Sequence, residues 1–287
     1  MAASESRAVV RPSPIKAVAH LARFLSSPGN LRMAGGQLGR QITGRAFIAD
    51  KPSADLNGEV YRQLWREAQS LAPAQFVSIH QRADQIIEDH SEQLTRTLVD
   101  TRARQITVAD CCHMISLPDA DGRLLYQMVR RYGLKQILEL GGAFGIGTRY
   151  LAMALRDNDQ AAGITEPSGT VYSLEIDEWR CEIAREGLGD LAPYVRVIAA
   201  SCEDGMPGLA KEHRRFDMAF FDALHQRDAN LDYFRLLCAM GAERCWCAFH
   251  DVNYWPKYQA WRRIVRDGRV SGAARHRRVG LLIVEPD

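Results

Sequence analysis

A run of glycines follows a short apolar stretch near the middle of the chain, in the segment QILELGGAFGIGTRY at residues 136–150. The glycines of this segment are Gly141, Gly142, Gly145 and Gly147. Glycine removes the side chain where a backbone turns sharply or where a ligand lies directly on it. Glu139 precedes the glycines and offers a carboxylate to a cationic or hydroxyl-bearing ligand. The segment therefore predicts a ligand-binding loop, with a tight strand-to-helix turn as the alternative.

Two common nucleotide-binding loops do not fit this segment. The dinucleotide fingerprint needs Gly-x-Gly-x-x-Gly, and counting from Gly145 and Gly147 puts Tyr150 where the third glycine belongs. A P-loop needs Lys-Ser/Thr after its glycines, and that pair is missing here. We therefore expect neither NAD nor a triphosphate.

The glycine loop stands in a region where apolar runs alternate with helical patterns. The expected strands are 137–140, 171–176, 195–199, 218–221, 245–249 and 281–284. The expected helices are 148–155, 178–186, 229–240 and 258–266. Such alternation predicts an α/β fold with a doubly wound, mostly parallel sheet. Ligands of such sheets bind outside the carboxyl ends of the strands, so the strand ends are where chemistry is expected.

Acidic residues and histidines stand at several of these strand ends. Glu175 ends the second expected strand, where a carboxylate can accept both hydroxyls of a ribose. Asp177 competes for that role but is also a natural helix cap. The fourth strand runs into Asp222, with a histidine three residues later, and the fifth ends in His250-Asp251.

Segments of residues 121–287 resemble the catechol O-methyltransferase-like branch of class I S-adenosyl-L-methionine (SAM) methyltransferases and its antibiotic-tailoring relatives. The matching pieces are LELGGAFGIGT, VYSLEID, VRVIAASCEDGMP, FDMAFFDALH and CAFHDVNYW. The resemblance implies a Rossmann-like sheet of seven strands, with SAM as cofactor. It also implies that the acid before the glycines faces the ammonium group of SAM, and that the loop after the third strand borders the adenine ring. The implied cofactor contacts are Glu139, Gly141, Gly142, Gly145, Gly147, Glu175, Ser201 and Cys202. For Ser201, a helix N-cap is the alternative.

The resemblance also implies a metal site. In catechol-type members, two aspartates and an asparagine hold a magnesium ion; Asp222 and Asp251 match the aspartates, but Val252 replaces the asparagine. Tailoring relatives use two consecutive ligands at the end of the fifth strand. His250-Asp251 matches these positions, with histidine in place of a carboxylate. Histidine suits zinc, manganese or iron better than magnesium. We expect a divalent metal at Asp222, His250 and Asp251. In the alternative, Asp222 binds a helix N-terminus and His250 hydrogen-bonds the backbone.

His225 is the expected general base, because it stands where catechol-type enzymes carry a catalytic lysine and because histidine titrates in a useful range. Its offset of three residues from Asp222 predicts that a helical turn puts both side chains on one face. His80 and His113, from the preceding segment, are alternatives.

The first part of the chain differs in composition. Residues 1–50 hold seven basic residues against two acidic ones, a pattern of a solvated arm, a subunit contact or a transit peptide. Residues 58–106 follow a helical pattern that includes Leu94 and Leu98. We expect a basic arm and a helical segment over 1–118, covering the substrate or forming a homodimer or higher homo-oligomer, and a SAM-binding domain over 119–287.

Composition excludes several classes of protein. With 46% hydrophobic residues, 25% charged residues and a net charge of +2, the chain is ordinary for a globular protein. It contains no apolar run of membrane length and no signal-peptide pattern, so a cytoplasmic protein without membrane contact is expected. The basic arm has few aromatic residues, which disfavours nucleic acid. Seven dispersed cysteines indicate reduced thiols, and Cys111-Cys112-His113 lacks the second ligand pair of a zinc finger.

The expected function is SAM-dependent methyl transfer to a small-molecule hydroxyl, in secondary metabolism for example. Transfer to an amine or an activated carbon is the alternative reaction. A non-catalytic SAM-binding scaffold is the alternative of another class, and it would not need the acids and histidines at two strand ends.

Overall fold

The computed structural model describes residues 47–99, 102–212, 214–241 and 244–286. The predictions for the basic arm up to residue 46 lie outside these described residues. The strands are β1 (Phe47–Lys51), β2 (Leu94–Val99), β3 (Arg102–Thr107), β4 (Gln136–Leu140), β5 (Thr170–Glu175), β6 (Val195–Ala199), β7 (Met218–Phe221), β8 (Cys245–Phe249), β9 (Val270–His276) and β10 (Val279–Val284). The helices are α1 (Gly58–Ser70), α2 (Val77–His90), α3 (Val108–Ile115), α4 (Asp119–Tyr132), α5 (Ile146–Ala161), α6 (Glu178–Glu186), α7 (Cys202–Lys211), α8 (Arg227–Ala239) and α9 (Trp255–Ile264).

Eight of the strands form one sheet in the order β1-β9-β10-β8-β7-β4-β5-β6. Strands β8, β7, β4, β5 and β6 pair in parallel, whereas β10, β9 and β1 complete one side in antiparallel pairing. The predicted doubly wound, mostly parallel sheet is therefore confirmed. Strands β4 to β10 supply the expected seven strands, and β1 adds an eighth.

The central strands are apolar because both of their faces are covered. Every residue of β7 and β8 is buried, as parallel sheets covered by helices on both faces require. Strand β4 lies between β5 and β7, so the chain leaves β4 in one direction and returns on its other side. The carboxyl ends of β4 and β7 therefore meet at a topological switch point, where ligands of such sheets bind.

The prediction of helix around Leu94 and Leu98 is wrong. Residues 94–99 and 102–107 form the antiparallel hairpin β2–β3, with Leu94 opposite Thr107. Leucines four residues apart fit a helix face, but the threonines, Val99 and Ile106 around them are β-branched and favour a strand.

Strands β1 and β9 were missed in the sequence for different reasons. Strand β9, VSGAARH, is rich in small residues and lacks an apolar run. Strand β1 is a short edge strand that precedes the expected boundary at residue 118, yet it pairs with β9 in the main sheet. The boundary itself stays a prediction, although at least one strand from before it belongs to the sheet that follows it.

No helix among the described residues is both long enough and apolar enough to cross a lipid bilayer.

Candidate active site

The glycine loop joins the end of β4 to the start of α5 and packs against two neighbouring strands. Gly141 has a φ of 92°, and a Cβ on it would lie 2.8 Å from the backbone nitrogen of Ala223, just after β7. A Cβ on Gly142 would collide with the hydroxyl of Ser173 on β5. These glycines are therefore required by close packing as well as by backbone conformation.

Glu139 is the buried acid at the end of β4, with 1% of its surface exposed. Its Oε2 accepts hydrogen bonds from the hydroxyls of Thr148 at 2.5 Å and Ser173 at 2.6 Å. Burial raises the pKa of Glu139 to about 7, although both hydrogen bonds favour the ionised form. Its other oxygen, Oε1, lies over Gly147, where a Cβ would come within 2.8 Å. A cation placed there would restore the charge of Glu139.

A cavity opens beside the loop. Two acids, Glu139 from β4 and Asp222 from the end of β7, line it together with the glycine loop. The remaining wall includes Ile115, the last residue of α3, and Ser116 and Leu117 from the connection to α4. Sequence reasoning missed these three residues, because no strand end or glycine pattern marks them. An apolar wall with a few convergent polar groups is typical of a small-molecule site.

Glu175 ends β5 and braces the glycine loop. Its Oε2 accepts the backbone N–H of Ala143 at 2.9 Å, and its Oε1 accepts that of Asp177 at 3.0 Å. Each oxygen keeps a lone pair for a ligand hydroxyl. Asp177 caps α6 by accepting the backbone N–H of Arg180 at 3.2 Å, as predicted.

Ser201 and Cys202 lie at the start of α7. Ser201 is the N-cap of this helix: its hydroxyl accepts the backbone N–H of Asp204 at 3.1 Å and donates to the Asp204 carboxylate at 2.8 Å. Cys202 is buried. The cap is thus present, and the predicted adenine contact of both residues stays a prediction. Ile176, beside the end of β5, is 74% exposed, which is unusual for a large apolar side chain.

Asp222, His250 and Asp251 are brought together as the sequence predicted. Ligand atoms of these three side chains lie within 4.8 Å of one another. His250 is 5% exposed, and its Nδ1 bonds the Asp222 carboxylate at 2.9 Å. The alternative, in which His250 bonds the backbone, does not describe this side chain.

A third acid, Asp121 on α4, completes the surroundings of His250. It is 4% exposed, and its carboxylate lies 3.3 Å from His250 Nε2. Burial alone would lower the pKa of His250, but the charges of Asp222 and Asp251 and the bonds to Asp121 and Asp222 outweigh it and raise this pKa to about 10. Sequence reasoning missed Asp121, because it lies on a helix far along the chain from the strand ends.

Asp251 is held by His225 and Arg278. It adopts a left-handed φ of 57°, its Oδ2 bonds His225 Nε2 at 2.8 Å, and its Oδ1 accepts from Arg278 Nε at 2.9 Å. Although burial opposes the charge, His250, His225 and Arg278 hold the pKa of Asp251 well below its usual range.

Lys257 is a buried cation beside the other acid of the cluster. Its ammonium group lies 3.9 Å from Asp222 and donates to the Phe221 carbonyl at 3.4 Å. Burial lowers the pKa of Lys257. Neither Lys257 nor Arg278 was expected from the sequence.

His225 does not share a helix face with Asp222, so that part of the prediction is wrong. Residues 222–226 form an irregular connection between β7 and α8, and His225 turns to Asp251 instead. The His225 side chain is 45% exposed, as a group that meets a ligand must be. His80 bonds Asp119 at 3.1 Å, and nothing is described of the His113 side chain.

Comparisons with known proteins agree with this geometry. Residues 138–252, from β4 to just beyond β8, match a family model described as a methyltransferase domain. The structure of an O-methyltransferase from Bacillus cereus in complex with SAH is similar, with a TM-score of 0.53 and 17% identity; the match covers 78% of this chain and 96% of that one. Cofactor-bound Rv0187 from MTB gives a TM-score of 0.54 at 17% identity, covering 81% of this chain and 99% of that one. No curated protein matches the chain.

The matched domain, the sheet order and the glycine loop at the switch point define the class of protein. Residues 138–252 carry a methyltransferase domain, on a doubly wound α/β sheet. Its fold is shared with solved O-methyltransferases.

Proposed function

We propose that the protein transfers a methyl group from SAM to a hydroxyl of a small-molecule acceptor. The observation that carries this proposal is the position of Asp222, which lines the cavity beside the glycine loop and also belongs to the cluster with His250 and Asp251. A cofactor in the cavity would thus lie next to ionisable groups suited to an acceptor hydroxyl. A hydroxyl must lose its proton before or during attack on the methyl group, so such groups are needed there.

The cofactor half of the site is proposed from the loop and the strand ends. Glu139 would receive the ammonium group of SAM, and Glu175 would accept the ribose hydroxyls. The glycines Gly141, Gly142, Gly145 and Gly147 would lie under the methionine part. Ser201 and Cys202, at the start of α7, would border the adenine ring.

The acceptor half centres on His225, the proposed general base. Asp251 bonds its Nε2 at 2.8 Å, which leaves the other ring nitrogen to take the acceptor proton. Arg278 binds the other oxygen of Asp251, so the carboxylate that orients His225 is itself held in place. The methyl group then passes in line from sulfur to oxygen, and the protein contributes mainly by positioning the two partners.

A divalent metal at Asp222, His250 and Asp251 is part of the proposal. Two carboxylates and one imidazole, with ligand atoms within 4.8 Å, form a donor set that suits manganese, zinc or iron. Lys257 and Arg278 offset part of the carboxylate charge, which favours a weak, exchangeable site over a tight one. When bound, the metal would act as a Lewis acid that lowers the pKa of the acceptor hydroxyl.

The test is a screen of hydroxyl, amine and carbon acceptors with methyl-labelled SAM, repeated after chelation and after return of manganese or zinc. We expect labelled methyl ethers, loss of turnover in chelator and its rescue by the metal in the native enzyme but not in Asp251→Ala. SAM binding without turnover of any acceptor would favour the scaffold alternative, and N- or C-methylated products would move the acceptor atom. Full turnover by metal-free protein would remove the metal from the proposal.

Light scattering tests the predicted homodimer or higher homo-oligomer.

A further inference from the structure

We propose that Asp121 is a positioning residue of this site, which orients His250 so that its Nδ1 faces Asp222 and Asp251. The inference rests on the proposed function for its purpose, but its geometry is independent of a metal. Asp121 belongs to α4, outside the segment that the methyltransferase family model matches.

The carboxylate of Asp121 reaches the cluster because α4 is pressed closely onto α5. Gly122, the next residue, packs on the ring of Tyr150, and a Cβ on Gly122 would collide with that ring. The lack of a side chain at this position lets the first turn of α4 approach the sheet edge. Asp121 is consequently 4% exposed, within the fold rather than on its surface.

A buried carboxylate is costly unless it has a polar partner. The partner of Asp121 is His250 Nε2 at 3.3 Å, and the other ring nitrogen, Nδ1, lies 2.9 Å from Asp222 and 3.7 Å from Asp251. Because Nε2 is directed to Asp121, the ring cannot rotate to present that nitrogen to the strand ends. Nδ1 is thereby fixed as the atom that faces the two carboxylates.

A carboxylate that holds the far nitrogen of a ligating histidine fixes its orientation and raises its basicity. Asp121 would supply this support to His250 from a helix, whereas Asp222 and Asp251 come from the strand ends. Asp121 is not among the residues that line the cavity beside the glycine loop, so its effect would be transmitted through His250.

The experiment compares the native chain with Asp121→Asn and Asp121→Leu, using Asp119→Asn as the matched control. Asp119 lies in the same helical turn but pairs with His80 and Arg123, away from the cluster. Two quantities are measured: the ring N–H signal of His250 in metal-free protein labelled with ¹⁵N-histidine, assigned with His250→Asn, and the affinity for manganese and zinc by calorimetry. Thermal unfolding and SAM binding establish that each variant is folded.

We expect a slowly exchanging His250 Nε2–H signal in the native chain and in Asp119→Asn, and its loss in Asp121→Leu. Metal affinity should fall about 10–100-fold in Asp121→Asn, the usual effect of losing such a supporting carboxylate. If Asp121→Leu keeps the ring signal, or if the native chain shows no protected Nε2–H, the inference is overturned. If the native chain binds neither metal but Asp121→Leu still loses the signal, Asp121 orients His250 and only the metal part of the proposed function fails. If Asp121→Leu does not fold, Asp121→Asn takes its place. A shifted His250 ring signal in that variant supports the inference, and an unshifted signal overturns it.

Discussion

Glu139 is a buried acid whose protonation links pH to stability and, in the proposed site, to cofactor binding. Its pKa is raised from 4.5 to about 7, so its contribution to the stability of the cofactor-free protein is full below 4.5 and is lost as the pH rises through 7. In the proposed site the ammonium group of SAM pairs with the ionised carboxylate, so SAM affinity should instead increase from pH 6 to pH 8. Calorimetry over this range tests the expectation. Glu139→Gln should bind SAM weakly and without this pH dependence; the native dependence persisting in that variant would assign it to another group.

His225 is the residue on which the proton transfer depends in the proposed mechanism. His225→Ala should lower turnover by about 10²–10⁴-fold, the usual contribution of a positioned base. SAM affinity, measured separately by calorimetry, should stay near the native value, because His225 bonds Asp251 and is not among the residues that line the described cavity. A drop of less than about tenfold, or a parallel loss of SAM binding, would assign proton removal to another group.

Replacing Glu175 tests its proposed contact with the ribose of SAM. Replacing it with alanine should weaken SAM binding by roughly 1–3 kcal/mol, the effect expected when hydrogen bonds to a charged group are lost. The variant also frees the backbone N–H of Ala143, so part of this loss reflects a looser glycine loop. Asp177→Ala is the matched control, since Asp177 caps α6. An unchanged affinity in Glu175→Ala with a loss in the control would move the ribose contact to Asp177.

The residues of the site divide by how they could be found in the sequence. Glu139, Glu175, Asp222 and the His250-Asp251 pair were predictable, because each closes an apolar run and the ends of parallel strands meet at one edge. Asp121, Lys257 and Arg278 were not predictable, because they reach the cluster through the packing of α4 and α9 and through the β9–β10 turn. That packing also explains the error over His225, whose partner follows a different strand.

At the scale of elements, local signals predicted the parallel strands most closely: the expected strands 195–199, 218–221 and 245–249 have the bounds of β6, β7 and β8. Helix α6 also begins and ends where the sequence indicated, since its apolar face and its end signals agree. The helical spacing of two leucines wrongly predicts a helix over the β2–β3 hairpin, and the small residues of β9 leave no pattern that predicts a strand. Strand pairing depends on distant partners, which a local pattern does not contain.

In the proposed cofactor site, the glycine loop is the element whose shape most directly limits SAM binding. Gly142→Ala should weaken SAM binding at least tenfold, because the new Cβ collides with the hydroxyl of Ser173, which also holds Glu139. Gly208→Ala, in α7, is the control, since nothing lies within 4 Å of a Cβ there. Adding Ser173→Ala to the loop variant should relieve the collision and recover part of the affinity. Native-like SAM binding by Gly142→Ala alone would contradict the packing of the loop.

At the scale of the whole molecule, β1 connects the start of the described chain to its end. Asp50 on β1 accepts hydrogen bonds from Trp261 Nε1 at 2.9 Å and from Arg275 Nε at 2.7 Å, on α9 and β9. Trp261 is 1% exposed and Arg275 is 6% exposed, so both donors depend on this carboxylate. The segment before residue 118 is in this respect continuous with the sheet that carries the site.

The connection predicts that loss of one side chain on β1 destabilises the entire sheet. Asp50→Ala should lower the free energy of unfolding by about 2–3 kcal/mol, because it leaves two buried donors without an acceptor. The matched control is Asp55→Ala, which removes an ion pair with Arg244 in which the side chains are 59% and 43% exposed and should cost less than about 1 kcal/mol. Urea unfolding followed by far-UV circular dichroism and tryptophan fluorescence measures both. Coincident transitions are expected, since strands from both segments share one sheet. Equal costs for the two variants, or separate transitions for the two probes, would show that the first segment folds apart from the methyltransferase sheet.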